Sequence, residues 1–354
     1  FYAEPGKKKV VLYSGFKEGN QQHRVNGFAR GLDGWIYCAN GDSGGLIKSH
    51  KTGKSINISG RDFRIKPETG EIDAQTGQTQ YGRNRDDWGN WFGGNNSNPM
   101  WHFVLADHYL RRNPYVTAPN LRIAVSTQPG AAPVYPQSRT LERFNDYNRA
   151  NRFTSACSPI VYRDDLFGQS FQSSTFVCEP VHNLIHREVM RAKGITFQSS
   201  RASDEKTSEF LASSDNWFRP TRVRTGPDGA LWIADMYRLV IEHPQWIPLA
   251  WQKRLDLRAG HDKGRIYRVY PIGKKLRRIP HLKSLSTPQL VKALDHPNGW
   301  QRDLAQELLT ERADLKSLAA LREMAVNAAR PLARLHALCT LDSLNEIDMK
   351  LLIS

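Results

Sequence analysis

The residues whose types and spacing suit proton transfer lie near the start of the chain. His23 stands just before a strand-like run, and Asp42 follows 19 residues later within the glycine-rich run 41–45. Histidine has an unperturbed pKa near neutrality, so it can take a proton at working pH. An aspartate that accepts a hydrogen bond from the second ring nitrogen fixes the tautomer and raises the basicity of the ring. The pair suggests a general base and its orienting partner, provided that neighbouring strands bring the two side chains together.

Both residues also have an ordinary structural interpretation. A histidine beside a strand is often a packed, hydrogen-bonded residue without a chemical role, and Gly-Asp-Ser-Gly is a common turn sequence. The residues between them predict a turn at 31–34 and an apolar strand at 35–39. Strands and turns must therefore position this candidate site.

The first 271 residues have the pattern of an all-β domain. Short apolar runs are punctuated by Gly, Pro, Asn and Asp, which favours a sandwich, a barrel or a propeller over a βαβ fold. The turn Gly-x-Asp-Gly, followed by an aromatic strand, occurs at Gly31 and again at Gly226, 195 residues further on. Four intervening units would each span about 49 residues, which suits propeller blades with insertions. Residues 104–150 show little periodicity and predict a long loop.

The pattern becomes helical from Ser286 onward. The run Arg-x-x-Ala-x-x-x-Leu occurs at residues 302–309 and again at 334–341, an offset of 32 residues. Apolar positions in this part of the chain fall three and four residues apart, as on one face of a helix. The repeat predicts two short helix pairs of the HEAT type.

The charge balance is strongly basic. The chain has 50 Lys and Arg against 35 Asp and Glu, a formal net charge of +15. The excess is spread along the chain, and no Lys/Arg block alternates with aromatic residues, so we expect a solvated basic surface and no nucleic-acid partner. No run of 18 apolar residues occurs, so we expect no membrane span in this chain.

Four cysteines occur, and none forms a CxxC pair, a CxxCH haem site or a zinc-binding pattern. Cys157 and Cys178 flank one strand–turn–strand segment. A disulfide between them and two free buried thiols are both compatible with this spacing.

Several runs carry a resemblance to a known family. Besides the stretch from His23 to Asp42, they are RDDWGNWFG at 85–93, NNSNP at 95–99, CEPVHN at 178–183 and DNWFRP at 215–220. Together they resemble the soluble quinoprotein sugar dehydrogenases, which include the glucose/sorbosone and aldose sugar dehydrogenases. These are six-bladed β-propellers that use pyrroloquinoline quinone (PQQ) and calcium. The closer similarity is to a bacterial branch of multidomain, membrane-bound dehydrogenases whose propeller is followed by HEAT-like helices and often by a c-type haem domain.

This resemblance covers nearly the whole chain and implies its domain organisation. We expect a mainly β fold, an incomplete six-bladed propeller over residues 1–272 whose N-terminal blade is missing. A linker would follow over 273–285, and a truncated all-α HEAT-like region over 286–354. The chain opens at Phe1 without Met, which agrees with a missing N-terminal part.

The same resemblance assigns roles to individual residues. His23 would be the general base and Asp42 its orienting partner, with Leu32 standing in the turn where the family has proline. The residues expected to bind the cofactor are Arg219, His182, Gln80 and Arg83. His182 stands where the family offers a lysine, and the family's second arginine falls on Thr221, beside Arg222 and Arg224. Asn96 and Ser97 would provide oxygen ligands to calcium, which prefers hard oxygen donors.

The implied function is oxidation of a sugar or another alcohol in the periplasm. His23 would remove the hydroxyl proton while hydride passes to PQQ, and electrons would leave to a c-type haem domain or another acceptor outside this chain. The alternative is a propeller that keeps the scaffold but binds a glycan or a partner protein without turnover.

Overall fold

The computed structural model describes residues 6–113, 115–117, 119, 121–141 and 150–353. In this part of the chain, strands form five antiparallel sheets, and a small helical region follows them. The predicted mainly β class with a C-terminal helical region is thereby confirmed. Residues 1–5 and 354 lie outside the described residues, and so do residues 114, 118, 120 and 142–149 of the predicted loop at 104–150.

The strands are, in chain order, β1 (Tyr13–Phe16), β2 (Asn26–Arg30), β3 (Ile36–Ala39), β4 (Gly45–Ser49), β5 (Ser55–Asn57), β6 (Asp62–Lys66), β7 (Glu71–Gln75), β8 (Asn84–Arg85), β9 (Trp91–Gly93), β10 (Trp101–Phe103), β11 (Arg122–Ala124), β12 (Cys157–Val161), β13 (Ser174–Glu179), β14 (Leu184–Lys193), β15 (Thr196–Arg201), β16 (Leu211–Ala212), β17 (Pro220–Thr225), β18 (Leu231–Asp235) and β19 (Arg265–Val269). The helices are α1 (Asp107–Leu110), α2 (Leu249–Gln252), α3 (Thr287–Ala293), α4 (Gly299–Arg312), α5 (Leu318–Asn327), α6 (Pro331–Ser343) and α7 (Met349–Ile353).

Four of the sheets are meanders in which successive strands lie side by side. Their strand orders are β2-β3-β6-β7, β8-β9-β10-β11, β12-β13-β14-β15 and β17-β18-β19, with β16 added to β14. The fifth sheet, β1-β4-β5, is formed mainly by a hairpin inserted between β3 and β6, and it packs on their sheet through a core that includes Cys38, Ile47 and Phe63. The first strands of the four meanders, β2, β8, β12 and β17, are neighbours in that order.

The two Gly-x-Asp-Gly turns have the same local structure. Gly31 N–H bonds to the carbonyl of Trp35 at 2.8 Å, and Gly226 N–H bonds to the carbonyl of Ala230 at 2.8 Å. In each turn the aspartate accepts from the aromatic residue of the next strand, Tyr37 in one and Trp232 in the other, both at 2.9 Å. A Cβ at either first glycine would lie within 2.7 Å of that aromatic ring, so only glycine fits. The predicted sequence repeat is therefore a structural repeat.

Local sequence signals explain where the helices begin. The side chain of Gln289 accepts a bond from the backbone N–H of Ser286 at 2.9 Å, as its place three residues into α3 predicts. The side chain of Asn298 accepts from Gln301 N–H at the start of α4, and α6 begins at Pro331. The repeated Ala and Leu positions of α4 and α6 share one apolar core with α3 and α5. No helix in the described residues is long and apolar enough to cross a membrane.

Helix α4 lies across one end of the four first strands. Its residues Gln301 and Gln306 donate to the carbonyls of Pro227 and Leu32, each at 2.8 Å, in the turns that follow β17 and β2. Gly299 N–H bonds to the carbonyl of Arg163, just after β12, at 2.8 Å. We refer to this as the α4 end of the sheets and to the opposite end, where β2 begins after His23, as the His23 end.

Cys157 and Cys178 are cross-strand partners in β12 and β13. Both are buried, and both are free thiols. Of the two states that the spacing allowed, the structure shows the reduced one.

Candidate functional site

All of the residues predicted for the site lie at the His23 end of the sheets. His23, Gln80, Arg83 and Arg219 precede the first strands β2, β8 and β17, while Asp42, Asn96, Ser97 and His182 follow β3, β9 and β13. In an antiparallel meander the end of each second strand lies beside the start of the first, so both groups must share one end. The predicted residues thus share one end of the sheets, but their contacts differ from one residue to the next.

The His23 ring is held by an amide. Its Nε2 lies 2.6 Å from Nε2 of Gln80, and Oε1 of Gln80 accepts the backbone N–H of Asn96 at 2.9 Å. An N–H can only donate, so the contact with Asn96 fixes which end of the amide is oxygen. The amide nitrogen therefore donates to His23, and the Nε2 of His23 must carry a lone pair. The neutral ring then has its proton on Nδ1.

Asp42 lies near His23 but does not orient it by a hydrogen bond. Among the described residues, the hydrogen bond of the His23 ring goes to Gln80. Asp42 adopts a left-handed conformation with φ 65°, and its N–H bonds to Oδ1 of Asn40 at 2.6 Å. Partial burial raises the pKa of its carboxyl, and the charge of His23 opposes that rise. Because the residue remains largely exposed to solvent, this electrostatic effect is screened.

Asn26 is a site residue that the sequence reasoning missed. Its side-chain nitrogen donates to the carbonyl of Gln80 at 2.7 Å, and its side-chain oxygen accepts Gly82 N–H at 2.8 Å. These two bonds fix the segment that carries Gln80 against the start of β2. Only the position of Asn26, three residues after His23 at the start of β2, could have pointed to it.

Arg83 lies in the protein interior and not at the opening of the site. It is 2 % exposed, and it forms an ion pair with Asp62, which is fully buried. The same guanidinium donates to the carbonyl of Thr76 at 2.8 Å and stacks on Phe103 at 4.5 Å. The charge of Arg83 is thus already compensated within the fold.

The Arg219 side chain connects the start of β17 to two other backbone segments. It is 5 % exposed, and four of its five N–H groups donate to carbonyls at 2.8–3.2 Å. The accepting residues are Pro180, Val181, Arg238 and Leu239. Burial lowers the pKa of its guanidinium to about 10. This arrangement stabilises the loops around β17 and leaves little hydrogen-bonding capacity for a ligand.

His182 is also occupied on both ring nitrogens. Nε2 accepts the backbone N–H of Asn151 at 3.0 Å, and Nδ1 lies 3.1 Å from Oε1 of Glu179. Glu179 is fully buried and also accepts from the side chain and the backbone of Ser155. The side chain at the position of the family's lysine therefore belongs to an internal hydrogen-bond network.

The loop at 95–98 is closed by its own first asparagine. Oδ1 of Asn95 accepts from the backbone N–H groups of Ser97 and Asn98 at 3.2 and 2.8 Å. The carbonyl of Asn96 accepts from Ala156 N–H at 3.0 Å. Within the described residues, no group of three or more His, Cys, Asp or Glu side chains is arranged to hold a metal ion.

Replacing Arg219 by methionine is expected to lower the free energy of unfolding by about 2 kcal/mol, because buried carbonyls lose charged donors. Chemical denaturation measures this change. The control is Arg238→Met, which removes only one long bond, 3.3 Å from Arg238 to the carbonyl of Arg258, at a more exposed position. Unchanged stability in Arg219→Met would show that the guanidinium is free for a ligand after all.

The chain belongs to the family DUF7133, described as a domain of unknown function, whose model matches residues 4–273. The matched range ends just after β19, so α3 to α7 lie beyond it. A search of curated proteins found no match to this chain. The family assignment therefore supports the β region as one evolutionary domain, and it does not indicate an activity.

Proposed function

We propose that the β region is a propeller of the six-bladed quinoprotein type and that it oxidises a sugar or another alcohol, with His23 as general base. Three features support the propeller. Four meander sheets follow one another along the chain, their first strands are neighbours in chain order, and the Gly-x-Asp-Gly turn recurs with the same hydrogen bonds. In propellers, sheets of this kind are arranged radially around a central channel.

The observation that carries the proposed activity is the hydrogen bond from Gln80 to Nε2 of His23. It holds the ring with a lone pair on the outer nitrogen, which is the state that a general base requires. The residue also lies at the same end of the sheets as the other predicted site residues.

The proton step follows from these contacts. A substrate hydroxyl that replaces the amide N–H of Gln80 at Nε2 donates its proton to the ring. The protonated ring can no longer accept from Gln80, so the amide must move away or turn. The nearby charge of Asp42 then favours the imidazolium through space, to the extent that solvent screening allows.

PQQ, when bound, would supply a two-electron acceptor, and its carboxylates would require available cations. The residues assigned to it do not fit this role. Arg83 is paired with Asp62, Arg219 is bound to four carbonyls, and both nitrogens of His182 are engaged. At Asn96 and Ser97, as elsewhere in the described residues, no group of three or more His, Cys, Asp or Glu side chains is arranged to hold calcium. The proposal therefore rests on the proton step at His23 and assigns no residue to PQQ or calcium.

The electron acceptor in this proposal is taken from the family resemblance alone. A c-type haem domain or another acceptor outside this chain would take the electrons, and the protein would act in the periplasm. The second candidate function is a propeller that binds a glycan or a protein without turnover. The engagement of Arg83, Arg219 and His182 by the fold itself favours that candidate.

A dye-linked assay separates the two candidates. The protein is incubated with a panel of sugars and alcohols and an artificial electron acceptor, with and without PQQ and Ca²⁺. We expect dye reduction that depends on substrate and on protein. If circular dichroism shows a folded protein and no substrate in the panel reduces the dye under either condition, the oxidoreductase is wrong and the binding propeller is the better account.

A further inference from the structure

A cavity of about 630 Å³ lies at the α4 end, between the first strands, the sheet β17-β18-β19 and helix α4. Its size falls in the range of small-molecule binding sites. The five arginines that line it are Arg30, Arg85, Arg163, Arg222 and Arg224. The site of His23 lies beyond the opposite end of β2, on the order of 20 Å away along the strand. The cavity is therefore separate from the proposed proton-transfer site.

Three of these arginines have carboxylate partners. Arg30 pairs with Glu307, and both Arg85 and Arg163 pair with Asp303, at 2.5 to 2.7 Å. Glu307 and Asp303 are both on α4. These ion pairs attach the helix to the sheets and compensate the three charges.

Arg222 and Arg224 have no such partner. No carboxylate of the described residues lies within ion-pair distance of either guanidinium, and the hydrogen bond from Arg224 to the carbonyl of Phe28 is long, at 3.5 Å. The two residues are two apart on β17, so both side chains lie on the same face of the strand, opposite the fully buried Val223. Burial lowers the pKa of both groups, and the charge of Arg222 contributes to the lowered pKa of Arg224.

Arg224 is partly buried and Arg222 is exposed. Two adjacent cations without an ion-pair partner repel each other, and a bound anion relieves that repulsion. The remaining walls are largely apolar and include Phe28, Trp232, Trp300 and Ile266. Arginine binds carboxylate and phosphate oxygens through paired N–H groups and also stacks on flat groups. We propose that this cavity binds a small oxyanion, a carboxylate or phosphate on a flat apolar body, with Arg222 and Arg224 as its ligands.

Isothermal titration calorimetry on the whole chain tests the site. The probes are phthalate as a flat dicarboxylate, inorganic phosphate, and benzamide as a neutral analogue, all at constant ionic strength. Phthalate is expected to bind, and the double variant Arg222→Gln/Arg224→Gln is expected to bind it at least tenfold more weakly. If inorganic phosphate also binds and its binding is lost in the same variant, the oxyanion is sufficient for binding without the flat apolar body. Equal binding of benzamide, or no binding of either oxyanion, would overturn the proposal.

The matched control is Arg191→Gln/Lys193→Gln. It removes two positive charges two residues apart on β14, where both side chains are exposed. If the control variant loses a similar share of its affinity for phthalate, the effect comes from the net charge of the protein. That result would contradict a specific site at Arg222 and Arg224. Without ligand, the Arg222→Gln/Arg224→Gln protein should melt at or above the wild-type temperature, because two repelling charges are gone. A lower melting temperature would show that the two arginines serve the fold, and it would also overturn the proposal.

Discussion

Replacing His23 by alanine is expected to lower kcat/KM for the alcohol substrate by about 10²–10⁴-fold. The reason is that the Nε2 lone pair, which the amide of Gln80 fixes in place, is lost with the side chain. Steady-state kinetics with an artificial electron acceptor measure the change, and near-ultraviolet circular dichroism checks that the fold is retained. The control is His50→Ala, which removes an exposed ring bound only to the hydroxyl of Ser14 at 2.8 Å.

Gln80 is a positioning residue in this scheme, and the pH profile distinguishes it from a structural one. In Gln80→Glu a carboxylate faces His23 Nε2 and stabilises the protonated ring, so the acid limb of the profile should move to higher pH. Wild-type turnover in His23→Ala would contradict the assignment of the base. An acid limb that stays in place in Gln80→Glu would remove Gln80 from the mechanism.

Replacing Asp303 by asparagine is expected to lower the free energy of unfolding by about 3–5 kcal/mol. Asp303 bonds to Arg85 at 2.7 Å and to Arg163 at 2.7 and 2.9 Å, so its loss leaves Arg85 without its ion-pair partner and Arg163 with Asp87 alone. Denaturation by urea at neutral pH measures the change. The control is Asp348→Asn, which breaks a surface pair with Arg322 and should change the free energy of unfolding far less, because solvent screens that pair.

The same residue predicts a pH dependence. Burial alone would raise the pKa of Asp303, but the guanidinium groups of Arg163 and Arg85 outweigh it and hold the pKa well below its ordinary value. A carboxyl with a depressed folded-state pKa stabilises the protein above its unfolded-state pKa of about 4 and loses that contribution as the pH falls further. The difference between wild type and Asp303→Asn should therefore shrink below about pH 4. A difference that is small at neutral pH, or that persists in acid, would show that Asp303 does not hold the helix to the sheets.

The sequence was sufficient to predict a mainly β fold with a helical C-terminal region. The residues that it pointed to as site residues all lie at one end of the sheets. Glycine-punctuated apolar runs correspond to short antiparallel strands, and the recurrence at Gly31 and Gly226 corresponds to one repeated turn. Strand starts and ends alternate along a meander, so residues in corresponding turns share an end whatever the details of packing.

The partners of the site residues could not be predicted in the same way. Arg219 looked like a free cation, but the carbonyls that it binds come from two separate segments, at 180–181 and 238–239. His23 finds its partner in Gln80, which is 57 residues away, and not in Asp42. A backbone carbonyl carries no signature in the sequence, so its use as an acceptor becomes visible only when the chain is folded.

The position of α4 also matters for where the boundary of the β domain is drawn. The family match stops at residue 273, yet residues 299–312 supply carboxylates and amides to turns that belong to the matched part. A boundary drawn from sequence relationships thus cuts through a set of interactions that should form and break together during unfolding. Relatives that share the β region but carry another C-terminal segment would need a different source of negative charge at this end. We therefore expect α4 to unfold together with the β region, as one cooperative unit that is larger than the matched domain.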